Sequence, residues 1–193
     1  MPAIIWAFFW WNLVNDKPND AQWLSQEDKD ALETVLQKEQ QNIKPVKNYM
    51  EAFKSKAVIL LCLQYAFWSI GVYGFVMWLP TIIKGAPNMS IVETGWLSSV
   101  PYLFAIIAML ISSFFSDKTL NRKIFVWPFL LIGAIAFYAS YLIGTNNFWI
   151  SFALLVIAGA VIYAPYGPFF AIMPDILPSN VTAGAIALIN SLG

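Results

Sequence analysis

Long uncharged apolar runs fill most of the chain beyond residue 56. Residues 57–83 include 27 positions without Asp, Glu, Lys or Arg, residues 94–116 include 23, and residues 124–174 include 51. A membrane-spanning helix needs about 20 such residues, so the first two runs predict one crossing each. The third run is too long for one helix and divides at the polar turn of residues 144–147. In lipid, helices satisfy their own backbone hydrogen bonds at these lengths.

This pattern predicts an all-α membrane protein in three parts. Residues 1–14 read as the end of an apolar helix, and residues 15–56 as a hydrophilic loop with amphipathic helices. Residues 57–193 carry five membrane helices, the last of them incomplete. Both ends of the chain fall inside apolar helical sequence, so we expect the chain to be part of a longer bundle. The five helices are predicted near residues 57–84, 93–116, 124–143, 148–173 and 180–193.

The hydrophilic loop contains seven Lys and eight Asp or Glu. Ser25 followed by Asp28 is typical of a helix N-terminus, where a hydroxyl caps backbone N–H groups and acids are favoured. After Pro45, apolar residues recur at helical spacing through Met50 and Phe53. This second segment is either a solvated linker helix or a helix that lies on the membrane surface.

The amino-acid composition argues against several classes of function. Hydrophobic residues make up 59% of the chain and charged residues 11%, against about 25% charged in soluble domains. The net charge is zero, and no basic tract is long enough to predict nucleic-acid binding. His is absent and Cys62 is the single cysteine, so we expect no metal site, no disulfide and no cofactor. No nucleophile or phosphate-loop motif is present, which argues against an enzyme.

The distribution of basic residues predicts the orientation in the membrane. If each apolar run crosses once, residues 15–56, 116–123 and 174–180 share one side and hold ten of the eleven Lys and Arg. The loops near residues 84–93 and 144–147 share the other side and hold only Lys84. Because basic loops stay inside, the first side is predicted to be cytoplasmic.

Four of the seven charges beyond residue 56 lie in one short stretch, "SDKTLNRK". This stretch resembles the loop signature of the major facilitator superfamily, G-x-x-x-D-R-x-G-R-R/K. Asp117 stands for the signature acid, Lys118 for the basic residue after it, and Arg122 and Lys123 for the basic end. Phe114 stands near the usual first Gly and Asn121 replaces the second. Two roles are open for this loop. Either its acid stabilises one transport conformation by a contact that breaks in the other, or its basic residues simply keep the turn on the cytoplasmic side.

More of the chain resembles the anion:cation symporter family within that superfamily. "NDKPNDAQWLSQEDKDAL" is similar to the start of that family's central cytoplasmic loop, D-x-P-x-x-A-x-W-L-s-x-e-E. "YGFVMWLPTIIK" resembles its seventh helix, "GWLSSVPYL" its eighth, and "PDILPSNVTAGAIALINSLG" the passage from its tenth to its eleventh. The resemblance implies that the chain runs from the end of helix 6 to the start of helix 11. It implies the C-terminal half of a transporter bundle, whose partner is an N-terminal half. The matching loop residues are Asp16, Pro18, Ala21, Trp23, Leu24 and Ser25.

The function implied by this resemblance is secondary transport through the lipid bilayer of a bacterial inner membrane. The substrate would be a small organic anion, often a carboxylated sugar, and the coupling ion a proton. Hexuronates, aldonates and tartrate are substrates of this class. A non-transporting membrane protein that acts as a sensor or binds a partner through residues 15–56 is the alternative.

Substrate in this superfamily lies near the midplane between two helical halves. No Asp, Glu, Lys or Arg lies in the middle of a complete predicted span, so the counter-charge and the proton carrier are expected from the other half. Neutral hydrogen-bonding groups and aromatic rings then carry recognition in this half, because hydroxyl and amide groups both donate and accept. Each of these could instead bond within its own bundle or anchor at the interface. The predicted substrate-binding residues are Gln64, Ser69, Tyr73, Tyr166, Phe170 and Asn190.

Overall fold

A computed structural model of the chain describes residues 2–15, 18–40, 50, 53–177 and 179–193. These residues form eight α-helices and include no β-strand. They fall into two compact units, residues 1–45 and residues 46–193. The helices are α1 Pro2–Leu13, α2 Gln26–Gln40, α3 Lys56–Lys84, α4 Ile91–Thr119, α5 Trp127–Ile143, α6 Phe148–Tyr163, α7 Tyr166–Ile176 and α8 Ser179–Ser191.

The first unit contains α1 and α2. Helix α1 is apolar throughout, and its large side chains are exposed. Helix α2 begins as the Ser25 and Asp28 pattern predicts: the Asp28 backbone N–H donates to Ser25 Oγ at 3.2 Å, and Ser25 Oγ donates to Asp28 Oδ2 at 2.6 Å. The predicted second amphipathic segment lies mostly in residues 46–52, which are outside the described residues apart from Met50.

The second unit is a bundle of apolar helices. Among its described residues, four helical stretches are long and apolar enough to cross a membrane, namely Lys56–Lys84, Ile91–Thr119, Arg122–Ile143 and Phe148–Ile176. Many of their large apolar side chains face outward. Such a surface would be unstable against water but suits a lipid environment. The predicted all-α membrane fold class is confirmed.

Helix α4 starts earlier than the sequence interpretation placed it. Ser90 and Glu93 form a capping box: the Glu93 N–H donates to Ser90 Oγ and the Ser90 N–H donates to Glu93 Oε2. This reciprocal cap satisfies backbone donors at the helix start, so α4 begins at Ile91 rather than at residue 93. At the other end Leu120 takes a left-handed conformation with φ 54°, which stops the helix.

The predicted helix 148–173 is in fact two helices separated at Ala164 and Pro165. Proline has no backbone N–H and its ring crowds the preceding turn, so α6 ends at Tyr163 and α7 begins at Tyr166. The indole Nε1 of Trp68 donates to the Ile162 carbonyl oxygen at 2.9 Å. A side chain of α3 thus satisfies a buried carbonyl at the break.

Helix α6 is the centre of the bundle. It packs closely on α4, where Gly159 lies against Pro101, and closely on α5. Ser140 of α5 and Ser151 of α6 exchange hydrogen bonds, each hydroxyl donating to the other residue's carbonyl oxygen at 3.1 Å. Small and hydroxyl side chains allow membrane helices to approach in this way. Helix α3 packs against α4, α6 and α8.

Candidate functional site

A hydrogen bond between two membrane helices marks the candidate site. Tyr65 Oη of α3 donates to Asn190 Oδ1 of α8 at 3.1 Å. Tyr65 is buried, whereas Asn190 is exposed. The amide Nδ2 of Asn190 makes no hydrogen bond to a described residue. With its oxygen occupied by the tyrosine, this amide offers donors to an incoming acceptor.

Ser69 lies one helical turn beyond Tyr65 and is buried. The end of α8 packs on this part of α3, because Gly193 lies against the Tyr65 ring and the Ser69 hydroxyl. A Cβ atom at Gly193 would lie 2.6 Å from Ser69 Oγ. Only a residue without a side chain permits this approach. We call Tyr65, Ser69 and Asn190 the polar patch.

A row of three aromatic rings lies beside the polar patch. Tyr163, Tyr166 and Phe170 follow one another across the break between α6 and α7. The ring centroids of Tyr163 and Tyr166 are 5.9 Å apart with planes 18° apart, and those of Tyr166 and Phe170 are 6.4 Å apart with planes 19° apart. All three rings are half-buried. We call these residues the aromatic row.

Helix α3 joins the polar patch to the aromatic row. The Tyr65 ring lies 5.5 Å from the Phe170 ring in an edge-on arrangement, and the Trp68 ring lies 4.5 Å from the Tyr166 ring. Tyr65 therefore takes part in both surfaces: its hydroxyl bonds to Asn190 of the polar patch, and its ring packs against Phe170 of the aromatic row.

The structure brings four of the six predicted binding residues together: Ser69 and Asn190 in the polar patch, Tyr166 and Phe170 in the aromatic row. Tyr73 lies one turn beyond Ser69 on α3 and is 62% exposed. Gln64 lies elsewhere, on the face of α3 that lines a cleft toward α5. The prediction did not include Tyr65, although it precedes Ser69 by one helical turn just as Tyr73 follows it.

The cleft between α3 and α5 is a separate, mainly apolar surface. Near one membrane face it has a volume of about 500 Å³ and is lined by residues that include Ile82, Phe137 and Tyr141. Toward the other face lie sections of about 360 Å³ and 460 Å³, both lined in part by Gln64. Gln64 is a polar side chain that borders both of these sections.

The signature loop forms an ion-paired centre at one end of the bundle. Arg122 Nη1 lies 2.7 Å from Asp117 Oδ1, and Arg122 Nε lies 2.6 Å from Asp175 Oδ2. The arginine side chain is largely buried, at 16% exposure, whereas the two acids are exposed. One guanidinium thus joins the end of α4 to the end of α7. Lys118 and Lys123 are exposed and form no ion pair with a described residue.

Asp175 was not among the predicted residues of this loop. Two features of the sequence could have identified Asp175. It is one of only seven charged residues beyond residue 56, and it was predicted to lie on the same side of the membrane as the loop. Among the described residues, no group of His, Cys, Asp and Glu side chains could hold a metal ion.

Comparison with known proteins identifies the family. The whole chain, residues 1–193, matches the family model of the Major Facilitator Superfamily. The chain belongs to the major facilitator superfamily. It is therefore a multi-pass integral membrane protein of a transporter family, and the bundle of apolar helices described above belongs to the corresponding fold.

Several curated proteins are similar to this superfamily member over its full length. A quinolone resistance transporter of Acinetobacter baumannii is 32% identical over 198 residues, which cover 100% of this chain and 44% of the relative. A protein of Agrobacterium vitis named as a tartrate transporter is 28% identical, over 100% of this chain and 42% of the relative. The inner membrane transport protein RhmT of Escherichia coli is 25% identical, over 99% and 43%. The chain thus spans less than half the length of these relatives. No solved structure matches it.

Proposed function

We propose that this chain forms part of a secondary active transporter that moves a carboxylated sugar or related organic anion together with protons. Transport would proceed by alternating access in a bacterial inner membrane, with residues 15–56, 116–123 and 174–180 on the cytoplasmic side. Support for an organic acid as substrate comes from two relatives named for tartrate, which is a dicarboxylate.

The observation that carries this proposal is the partly buried hydrogen bond between Tyr65 and the exposed Asn190. The bond holds the amide of α8 against α3 and leaves its N–H donors for a substrate oxygen. Hydrogen bonds to charged groups contribute about 1.5–3 kcal/mol, so a neutral amide can bind a carboxylate without a local cation. The compensating positive charge and the proton-carrying carboxylate would come from the other half of the transporter.

The ion-paired centre around Arg122 is the proposed conformational element. In the described arrangement its guanidinium holds α4 and α7 together through Asp117 and Asp175. The two acids are exposed, and ion pairs that are open to water on one side add little stability, about 0–1 kcal/mol each. That modest energy suits a contact that must form and break in every cycle, and we propose that it biases the bundle toward one of its two states.

Uptake of labelled galacturonate and tartrate by proteoliposomes that contain the intact transporter tests the proposed function. Replacing Asn190 by alanine removes the amide donors, and we expect KM to rise at least tenfold. Tyr65→Phe removes only the hydroxyl that orients the amide and should raise KM less. Asn146→Ala, in an exposed turn outside the polar patch, is the matched control and should leave uptake unchanged.

Proton coupling is measured in the same vesicles by imposing a pH gradient. Uptake should accelerate when the outside is more acidic and should collapse when an ionophore removes the gradient. Uptake that ignores the gradient would contradict symport while leaving transport intact. If the intact protein moves no organic anion at all, the alternative of a non-transporting sensor gains support.

A further inference from the structure

We infer that α4 and α7 slide along each other during transport, and that two buried serines of α4 favour the displaced arrangement over the described one. The serines are Ser112 and Ser116, and the ion pairs of Arg122 act in the opposite direction. The inference rests on the proposed function, because it concerns the step in which the transporter changes conformation.

The hydroxyl groups of Ser112 and Ser116 are enclosed in the bundle without a hydrogen-bond partner among the described residues. Ser112 is 1% exposed and Ser116 is 0% exposed. Elsewhere in α4 a serine hydroxyl bonds within its own helix, as Ser98 Oγ does by donating to the Thr94 carbonyl oxygen at 2.6 Å. A buried polar group without a partner costs free energy. The described arrangement therefore carries a cost that another packing of α4 can remove.

Both serines lie where α4 packs on α7. Gly167 of α7 approaches the neighbouring Ser113 so closely that there is no room for a Cβ atom at position 167. The buried side chains of α7 are those of Pro168, Phe169 and Met173. None of these offers a strong hydrogen-bonding group. In the described arrangement α7 thus presents an apolar surface to two hydroxyl groups.

A matching acceptor lies at the break before α7. Pro168 has no backbone N–H, so the Ala164 carbonyl lacks the donor that a continuous helix would give it, and Ala164 is fully buried. The two helices run in the same direction, since the ion pairs join their C-terminal ends. Ser112 lies about 1.5 Å before Ser113 along the axis, and Ala164 about 4.5 Å before Gly167. A displacement of about 3 Å therefore brings a hydroxyl donor level with this acceptor.

The ion-paired centre favours the described arrangement instead. Arg122 lies 2.7 Å from Asp117 near the end of α4 and 2.6 Å from Asp175 near the end of α7. Sliding one helix along the other stretches these contacts. One interface thus contains two opposing contributions, which keep both arrangements accessible, as a transport cycle requires.

Thermal unfolding of the intact transporter tests the unpartnered hydroxyls. Ser112→Ala and Ser116→Ala each remove a hydroxyl that has no partner in the described arrangement. The apparent Tm should rise by about 2–6 °C for a unit of 150–250 residues that unfolds cooperatively. Ser98→Ala is the matched control, because it brings the same gain in helix propensity but removes a bonded hydroxyl, so it should show no such rise. An unchanged or lower Tm for Ser112→Ala would overturn the inference.

Electron paramagnetic resonance measures the sliding itself. Spin labels are attached at Lys118→Cys of α4 and Ile176→Cys of α7, both exposed positions, after the other cysteines, Cys62 among them, have been replaced. Two label distances should be present in the intact transporter. Ser112→Ala should lower the population of the displaced arrangement severalfold, and Arg122→Gln should raise it. Distance distributions that are the same in both variants would contradict sliding.

Uptake of labelled tartrate by proteoliposomes links this equilibrium to transport. Ser112→Ala and Arg122→Gln shift the equilibrium in opposite directions, so each alone should slow uptake severalfold. The double variant should recover toward the wild-type rate, whereas independent structural losses would add. A double variant slower than either single variant, or a Ser112→Ala protein with the wild-type rate, overturns the inference. If the wild-type protein takes up no organic anion, the proposed function fails, while the Tm and label distances still decide whether α4 and α7 slide.

Discussion

Replacing Gly159 by alanine tests the tightest contact of the bundle. A Cβ atom at this position would lie 2.7 Å from Pro101 Cβ and 2.8 Å from Phe75 Cζ, both well inside van der Waals distance. The proline ring is fixed within α4, and Phe75 is buried at 5% exposure, so neither neighbour can swing into open space. Overpacking of this kind costs about 1–3 kcal/mol, while replacing a helical glycine by alanine gains about 1 kcal/mol.

The expected net result is a destabilisation of up to about 2 kcal/mol. Thermal unfolding of the intact protein in detergent should show this as a lower apparent Tm, by about 2–4 °C per kcal/mol for a unit of 150–250 residues that unfolds cooperatively. Gly74→Ala is the matched control, because a Cβ there would have no neighbour within 4 Å. Alanine has a higher helix propensity than glycine and meets no clash at position 74, so the Tm of the Gly74→Ala protein should rise slightly. A Gly159→Ala protein as stable as Gly74→Ala would show that α4 and α6 do not approach as closely as described.

Three further substitutions probe separate parts of the bundle. Trp68→Phe keeps a ring but removes the donor to the Ile162 carbonyl, so unfolding should become easier by about 1–3 kcal/mol; an unchanged Tm would argue against that bond. Leu120→Gly removes the strain of a left-handed residue that has a side chain, a gain of roughly 1–2 kcal/mol. About 0.5–1 kcal/mol of added chain entropy in the unfolded state partly offsets this gain. A lower Tm would contradict the strain. Arg122→Gln removes two ion pairs and should lower stability by no more than about 2 kcal/mol yet slow uptake severalfold, and wild-type uptake would contradict a conformational role.

The membrane helices could be predicted from sequence because the bilayer imposes a simple rule. A span must exclude charge over about 20 residues, and the uncharged runs of this chain do so. Helix ends depend instead on local chemistry. The capping box of Ser90 and Glu93 extends α4 beyond its apolar run, and Pro165 divides a run that hydropathy reads as continuous. Both features are visible in the sequence, but they determine backbone hydrogen bonding, which a hydropathy pattern does not report.

The candidate site was harder to predict because its contacts join distant residues. Tyr65 and Asn190 are 125 residues apart in the chain, and Arg122 and Asp175 are 53 apart. Residue type alone indicates that a polar side chain in a span needs a partner. Which partner it meets depends on how the helices cross, and no local pattern encodes that. Gln64 and Tyr65 illustrate the limit, because adjacent residues on α3 face different surfaces.

The distribution of charge suggests how the proposed transporter divides its tasks. The polar patch is neutral, and both ion pairs among the described side chains belong to Arg122 at one end of the bundle. A proton that is taken up with the substrate needs a carrier near the site, and the polar patch consists of hydroxyl and amide groups without an Asp, Glu, Lys or Arg. On the proposed function, this half therefore selects the shape of the anion while the other half supplies the charge that couples transport to protons. Substitutions in the polar patch and the aromatic row should then change KM and substrate preference without changing the pH dependence of uptake.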